Sequence, residues 1–169
     1  LRHRKACLYT LKELGYQTGA GFMVGTPGQT ADTLAADMEF LQELKPEMVG
    51  SGPFLPHHDT PFRHQPAGDV GLTLYVLSLV RIMLPDVLLP ATTALGTAAQ
   101  NGREAGVLAG ANVVMPNLSP GNVREKYLLY DNKICTGNEA AENLRDLSSS
   151  MSTIGYETVT DRGDHKKFI

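Results

Sequence analysis

The sequence predicts an α/β fold with parallel strands, and three observations carry this prediction. Between residues 19 and 130, short apolar runs alternate with segments of helical periodicity, and the runs end abruptly in polar, glycine or proline residues. Such alternation is typical of βαβ units and a parallel sheet. No Gly-x-Gly-x-x-Gly follows a strand, which disfavours dinucleotide binding. Four βα units entered through a helix match half of an eight-stranded β/α barrel, and a four-stranded doubly wound sheet is the alternative.

The first elements follow from local signals. Leucines between residues 8 and 14 recur at helical spacing, and Gly15 suits the end of that helix. The apolar run at 21–25 predicts the first strand. Thr30 is a suitable N-cap for the helix behind this strand, and Pro46 ends that helix.

The remaining elements continue the alternation. A second strand is expected at 48–54, before a loop at 55–68 that is rich in proline and histidine. The later predictions are a helix at 72–84, a third strand at 88–95, a helix at 103–109, a fourth strand at 112–115, a helix from Pro120 to Tyr130, a tail helix at 141–151 and a tail strand at 156–160. In a parallel barrel, the carboxyl ends of the strands form the face where chemistry occurs.

Two threonines, Thr92 and Thr93, stand near the end of the third apolar run. Successive side chains of a strand point to opposite faces, so at most one of the two hydroxyls would face a barrel interior. The functional interpretation is a pair of polar groups at a strand tip. The alternative is two β-branched residues that favour a strand, and the pattern leaves both interpretations open.

Length and composition limit the class of protein. A chain of 169 residues with a net charge of −3 fits one soluble domain and indicates no nucleic-acid surface. No apolar run approaches the roughly 20 residues of a membrane span. Cys7 and Cys135 do not make a disulfide framework, so we expect a reducing cytoplasm. The chain opens directly at a helix without an initiator methionine, and we interpret it as a piece of a longer protein.

Histidines in the 55–68 loop suggest a metal site but do not have the usual spacing. His57, His58 and Asp59 are adjacent, with His64 nearby. Adjacent residues rarely bind one ion together, and zinc sites favour wider spacings. We therefore expect a solvated loop and no metal ligands here. No Ser-His-Asp or Cys-His set has a recognisable spacing, so no catalytic residue is predicted.

Four segments together resemble the HydE family, the radical S-adenosylmethionine (SAM) maturases of [FeFe]-hydrogenase. They are Gly19–Thr30, Gly52–Pro61, Pro90–Thr97 and Ala111–Pro120. The match runs in order from Arg4 to about Asp164. Biotin synthase and methylornithine synthase are similar relatives, but the segments Thr-Thr-Ala-Leu-Gly-Thr and Val-Val-Met-Pro-Asn-Leu-Ser-Pro favour HydE.

The resemblance implies a fold and a distribution of functional regions along the full-length protein. The complete protein would be a (β/α)8 TIM-type radical SAM barrel of about twice this length, with a Cys-x3-Cys-x2-Cys loop for a [4Fe-4S] cluster outside this chain. Residues 1–135 would form the C-terminal half barrel, the region called the biotin and thiamin synthesis associated domain. Residues 136–169 would be an extension packed on the barrel. The full-length protein would be an enzyme, and this part alone would be inactive.

The resemblance also implies roles for individual residues. Arg4 would pair with the methionyl carboxylate of SAM, and Met23 would lie near its adenine, as suits a guanidinium and a thioether. Six residues would line the substrate cavity or its mouth: Thr92, Thr93, Met115, Asn117, Tyr127 and Tyr130. The two tyrosines are the weaker matches.

The implied substrate is a cysteine-bound iron carbonyl-cyanide precursor from the partner maturase HydG, and the product would pass to HydF. Neither nucleic acid nor membrane is expected as a partner. Two other functions remain open. One is a relative of biotin synthase or methylornithine synthase that acts on a small organic substrate. The other is a stand-alone binding domain without redox chemistry.

Some HydE proteins bind an accessory Fe–S cluster through three cysteines near the C-terminus. Cys135 matches the first of these positions, but Asn143 and Asp146 occupy the other two. One thiolate cannot hold a cluster that needs about four ligands. We therefore expect the accessory cluster to be absent.

This expectation predicts the iron content of the full-length protein. After reconstitution with iron and sulfide it should hold about four iron atoms, those of one [4Fe-4S] cluster. Cys135→Ala should leave that number unchanged in an iron assay. A loss of iron in this variant would show that Cys135 is a ligand.

Overall fold

The computed structural model describes residues 1–134 and 140–168. Helices and strands alternate along most of it, although two helices lie between the third and the fourth strand. The elements are α1 Arg2–Glu13, β1 Gly19–Val24, α2 Ala31–Leu44, β2 Met48–Pro53, α3 Val70–Met83, β3 Pro90–Ala91, α4 Thr93–Ala98, α5 Gly102–Leu108, β4 Val113–Val114 and α6 Ala140–Thr153, with 3-10 helices at Gly121–Tyr127 and Lys166–Phe168. In this part of the chain, no helix has the length and apolar character needed to cross a bilayer.

The strands pair in parallel, as predicted. Strand β1 pairs with β2, with Met23 opposite Gly52, and β3 pairs with β4. A parallel bridge between Met48 and Leu88 joins the two pairs, and the N–H of Val49 donates to the Leu88 carbonyl at 2.9 Å. The strands therefore lie side by side in chain order, with their carboxyl ends at one edge.

Side-chain caps fix where the two longer inner helices begin. Thr30 caps α2 as predicted: its Oγ1 accepts from the N–H of Thr33 at 3.3 Å, and Thr33 Oγ1 accepts from the N–H of Thr30 at 2.8 Å. Asp69 caps α3 by accepting from the N–H of Leu72 at 2.6 Å. The two caps therefore determine the residues at which α2 and α3 begin after β1 and β2.

One hydrophobic core lies between the strands and the helices. Strand residues Val24, Val49 and Ala91 are buried in it, with Leu89 just before β3. Helix α6 contributes Leu147 and Met151 to the same cluster. The tail helix therefore packs on the core that the strands share.

The predicted third strand at 88–95 is wrong in its second half. Strand β3 covers only Pro90 and Ala91, and α4 begins at Thr93. Thr92 has an extended backbone, and its Oγ1 accepts from the N–H of Leu95 at 3.3 Å, which makes it the N-cap of α4. The capping hydrogen bond competes with strand pairing, and short polar side chains favour it.

Three further predictions differ from the structure. The fourth strand covers only Val113 and Val114, and the helix predicted from Pro120 to Tyr130 is a 3-10 helix at Gly121–Tyr127 that leaves Tyr130 outside. The segment begins Gly-Asn, two weak helix formers. The predicted tail strand at 156–160 does not form; instead Thr158 donates to Ser148 of α6 at 2.9 Å.

The two ends of the 55–68 loop lie close together at the end of β2. The N–H of Phe54 donates to the Val24 carbonyl, and the N–H of Gly68 donates to the Phe54 carbonyl, both at 2.8 Å. Gly25 has a φ of +82°, and a Cβ on it would lie 2.5 Å from the Gly68 Cα. Glycine is needed at this crossing because two backbones touch there.

At the opposite edge, the buried Glu47 ties the starts of three strands together. Its carboxylate accepts from the N–H of Thr18 at 2.8 Å and from Lys12 Nζ at 2.9 Å, and Lys167 Nζ lies 3.6 Å away. Its backbone carbonyl accepts from the N–H of Leu88 at 3.0 Å. Burial raises the pKa of this carboxyl, but the Thr18 N–H and the Lys12 ammonium outweigh burial and lower the pKa overall.

Replacing Glu47 with glutamine should destabilise the full-length protein by about 3 kcal/mol, because Lys12 loses its counter-charge. The lowered pKa sets the pH dependence. The stabilisation is present above the unfolded-state pKa of the carboxyl and is lost as the pH falls through the lower folded-state pKa. Urea unfolding at several pH values should therefore show that the free energies of unfolding of the wild type and the variant converge in acid.

Glu43→Gln is the matched control. Glu43 is exposed and accepts from the Tyr9 hydroxyl at 2.7 Å. Its replacement should cost less than about 1 kcal/mol. If both variants lost the same free energy of unfolding, burial of Glu47 and its contact with Lys12 would not explain its effect.

Candidate functional site

A cavity of about 550 Å³ lies at the carboxyl ends of the first three strands. Four of the residues predicted for the site line it: Arg4, Met23, Thr92 and Tyr130. They come from α1, from β1, from the β3–α4 junction and from the turn after the 3-10 helix. We call this space the strand-end cavity. The fold thus brings together residues that are up to 126 positions apart in the sequence.

Glycines form the floor of the strand-end cavity. Gly21 lies opposite Gly50, and Met23 lies opposite Gly52 in the pairing of β1 with β2. A Cβ on Gly50 would meet no atom within 4 Å, whereas a Cβ on Gly52 would lie 2.6 Å from Thr92 Oγ1. A Cβ on Gly21 would collide with the Gly50 backbone, so of these three glycines Gly50 is the one that leaves open space. A ligand can approach the backbone closely there.

Met23 presents its thioether to this cavity, with 54% of its surface exposed. Gln29 holds the turn that follows: its Oε1 accepts from the N–H of Gly25 at 2.6 Å, and its Nε2 donates to the Met23 carbonyl at 2.9 Å. No role for this side chain follows from the sequence alone. A long amide beside a tight Thr-Pro-Gly turn is the one signal that could have indicated it.

Arg4 reaches the cavity from the exposed face of α1. Contacts with α2 hold this helix, since Lys5 Nζ lies 4.1 Å from the centre of the Phe40 ring and the Tyr9 hydroxyl donates to Glu43. Within residues 1–134 and 140–168, the side chain of Arg4 forms no hydrogen bond or ion pair. The N–H groups of its guanidinium are therefore available to a ligand, and a carboxylate could accept two hydrogen bonds from them.

Thr92 and Thr93 have different surroundings. Thr92 caps α4 and lines the strand-end cavity, beside Gly52. The Oγ1 of Thr93 accepts from Arg103 Nη2 at 3.2 Å, and Arg103 is 9% exposed. The sequence did not single out Arg103. The two threonines are thus polar groups at a strand-to-helix junction and do not belong to the strand itself.

Other predicted site residues lie elsewhere or outside the described residues. Met115, which is 49% exposed, and Asn117 follow β4 and do not line the strand-end cavity. The Asn117 carbonyl accepts from Asn143 Nδ2 at 3.2 Å, so a buried amide of α6 occupies one of the positions where the resemblance implies a cluster cysteine. The side chain of Tyr127 and the whole of Cys135 lie outside the described residues.

The histidine-rich loop meets the Tyr130 turn. Ligand-type atoms of His57, His58 and Asp131 all lie within 4.8 Å of one another, whereas the sequence pointed to Asp59 and His64. His57 Nδ1 accepts from the N–H of Asp59 at 3.1 Å, and His58 Nδ1 lies 2.7 Å from Asp131 Oδ1. The histidine and aspartate groups are therefore engaged with one another in a hydrogen-bonded cluster.

This cluster anchors the turn that carries Tyr130 to the end of β2. The N–H of Asp131 donates to the Pro56 carbonyl at 3.1 Å. The hydrogen bond to Asp131, followed by the charge of Asp59, raises the pKa of His58, and the same hydrogen bond lowers the pKa of Asp131. Protonation of His58 thus strengthens a contact at the mouth of the cavity.

Asp131→Asn should lower the pKa of His58, because the variant removes the largest cause of its upward shift. NMR titration of the histidine ring resonances in the full-length protein measures this pKa. Because the pKa of His58 is raised in the folded state, the stabilisation by this pair is fully present below the unfolded-state pKa. It is lost as the pH rises through the folded-state pKa.

Asp59→Asn serves as the control, since Asp59 Oδ2 lies farther from the His58 ring, at 3.5 Å from Nε2. Its effect on the His58 pKa should be smaller. An unchanged His58 titration in Asp131→Asn would show that the pairing does not persist in solution.

Comparisons with known proteins support the same family as the motifs. The chain is 47% identical over 165 residues to the [FeFe] hydrogenase maturase subunit HydE of Thermotoga maritima, an alignment covering 98% of this chain and 47% of that protein. No family model matches the sequence. The fold is similar to the crystal structure of methylornithine synthase, with a TM-score of 0.71 and 22% identity, covering 93% of this chain and 45% of that one.

The resemblance to HydE that the motifs indicated is therefore confirmed, and the solved structure shows a similar fold. The chain spans about half the length of each of these relatives.

Proposed function

We propose, from its similarity to HydE, that this chain is the C-terminal half of a radical SAM barrel that acts in the maturation of [FeFe]-hydrogenase. The observation that carries the proposal is the convergence of Arg4, Met23, Thr92 and Tyr130 on the strand-end cavity. The resemblance assigns these four residues to SAM or to the substrate, and folding brings them together. Residues 1–135 would be the half barrel, and 136–169 the extension packed on it.

The residues present fit SAM. Arg4 has unused guanidinium donors for the methionyl carboxylate, and the exposed Met23 offers a thioether surface for the adenine. The open space over Gly50 leaves room for the ligand against the strands. When bound and reduced, SAM supplies a 5′-deoxyadenosyl radical in enzymes of this type.

The residues of this chain do not fit the [4Fe-4S] cluster that would supply the electron. The chain has two cysteines, Cys7 and Cys135, and a cluster needs about four ligands. Cys7 lies exposed on α1. We propose that the cluster belongs to the other part of the full-length protein and that this part alone does not catalyse the reaction.

The substrate would bind beside SAM, at the polar end of the cavity. Thr92 and Tyr130 line this end, and apolar and glycine residues form much of the remaining wall. We propose a cysteine-bound iron carbonyl-cyanide precursor from HydG as the substrate and HydF as the acceptor of the product, in the cytoplasm.

A second candidate is a radical SAM enzyme for a small organic substrate, because the fold is similar to methylornithine synthase. A binding domain without redox chemistry is a third possibility. Turnover assays of the full-length protein separate the three. The first requires the iron precursor, the second an organic substrate, and the third shows no SAM cleavage.

Arg4→Ala should weaken the binding of SAM to the full-length protein by roughly 10- to 100-fold, since it deletes a charge-assisted contact worth about 1.5–3 kcal/mol. Calorimetric titration with SAM measures this affinity. Arg2→Ala is the matched control, because Arg2 belongs to the same helix but does not line the strand-end cavity.

Arg2→Ala should bind SAM as the wild type does. An Arg4→Ala variant with wild-type affinity would refute the placement of SAM in the strand-end cavity. Equal losses in both variants would indicate a general effect of helix charge.

A further inference from the structure

We propose that Gln29 is a positioning residue for the nucleoside end of SAM. Its side-chain amide takes the place of a strand partner at the end of β1 and thereby holds Met23 at the wall of the strand-end cavity. Gln29 itself does not line that cavity, whereas Met23 does. This inference rests on the proposed function, because that function places the adenine of SAM against Met23.

The backbone groups that Gln29 binds lie at the edge of β1 that faces away from β2. The Val24 carbonyl points toward the β2 side, where it accepts from the N–H of Phe54 at 2.8 Å. In a trans peptide the N–H that follows a carbonyl points in the opposite direction, so the N–H of Gly25 points away from β2. There Gln29 Oε1 accepts from this N–H at 2.6 Å, and Gln29 Nε2 donates to the Met23 carbonyl at 2.9 Å.

One side-chain amide thus forms the two hydrogen bonds that a neighbouring strand would otherwise form. A strand offers one N–H and one carbonyl per residue, and a glutamine side chain carries the same two kinds of group. The Met23 carbonyl and the Gly25 N–H therefore need no further strand. Strand pairing along this edge of β1 consequently ends before Met23, and no strand covers the part of β1 that borders the cavity.

The turn between β1 and α2 fixes the backbone from which this amide reaches. The N–H of Gln29 donates to the Thr26 carbonyl at 2.9 Å, which closes a four-residue turn. Pro27 in its second position and Gly28 with a φ of +80° in its third are typical of a type II turn. Thr30 then caps α2. Because Gln29 lies between a closed turn and a capped helix, little backbone entropy is lost when its amide binds.

Met23 is consequently held from both edges of β1. Its neighbour Val24 is bonded on the β2 side, and its own carbonyl is bonded to Gln29 on the other side. The thioether therefore meets an adenine from a fixed backbone, which reduces the entropy lost on binding. Loss of the Gln29 amide should loosen the nucleoside contact and leave the contact of Arg4, on α1, intact.

The test measures the two ends of SAM separately, by calorimetric titration of the full-length protein with SAM, 5′-deoxyadenosine and methionine. Gln29→Met keeps the length of the side chain but removes its donor and its acceptor. This variant should bind SAM and 5′-deoxyadenosine about tenfold more weakly, and methionine as the wild type does. Arg4→Ala should show the opposite pattern, with weaker binding of SAM and methionine and normal binding of 5′-deoxyadenosine.

Gln17→Met is the matched control, because Gln17 forms a similar pair of hydrogen bonds just before the other end of β1. Its Nε2 donates to Asp164 Oδ1 at 2.6 Å, and its Oε1 accepts from the N–H of His165 at 2.7 Å. The control variant loses the same kinds of contact away from the cavity. It should keep the wild-type affinity for all three ligands.

Gln29→Glu is the second variant, and it carries the test where Gln29→Met does not fold. Its carboxylate still accepts from the N–H of Gly25 but has no hydrogen for the Met23 carbonyl. It should show the same selective loss of nucleoside affinity, because the contact with Met23 is the one that matters for the ligand. Near-UV circular dichroism checks the folding of each variant.

Wild-type affinity for 5′-deoxyadenosine in a folded variant at Gln29 would overturn the proposal. An equal loss of methionine affinity would also overturn it, because the substitution would then loosen the whole cavity. Failure of the proposed function is visible separately, since the wild-type protein would then bind neither SAM nor 5′-deoxyadenosine.

Discussion

The geometry of this protein depends on a buried carboxylate at the amino ends of its strands. Glu47 can stay charged there because the Thr18 N–H and the Lys12 ammonium both satisfy it. Its backbone also pairs with Thr18 on one side and Leu88 on the other. A slip of one residue would turn every strand side chain to the opposite face. The register set here therefore determines that Met23 lies opposite Gly52 at the functional end.

At the cavity end of the strands, missing side chains allow both close packing and open space. The strand pairs there include Gly21 with Gly50 and Met23 with Gly52. Glycine weakens a strand, and the flanking helices compensate by packing a continuous apolar core behind it. Val24 and Val49 fill the core face of these strands, whereas Gly50 leaves space open on the cavity face and Gly52 makes room for Thr92.

Connections outside the strands then hold the rim of the cavity. Gln29 braces the turn after β1, the His58–Asp131 pair braces the turn at Tyr130, and Arg103 braces Thr93. Each is a polar side chain that contacts a residue of the cavity lining or its neighbour in the chain. The rim consequently consists of loops, but its positions are set by hydrogen bonds to rigid elements.

The sequence by itself determined the features that depend on neighbouring residues: the alternation of strands and helices, the Thr30 cap, and the motifs that identify Arg4, Met23 and Thr92. The tertiary structure alone decided where β3 stops, because a cap at Thr92 competed with pairing to a distant strand. It also decided that His58 meets Asp131, which is 73 residues away, and that Arg103 reaches Thr93. Periodicity reports which face of an element is apolar, but a contact between side chains depends on how separate elements pack.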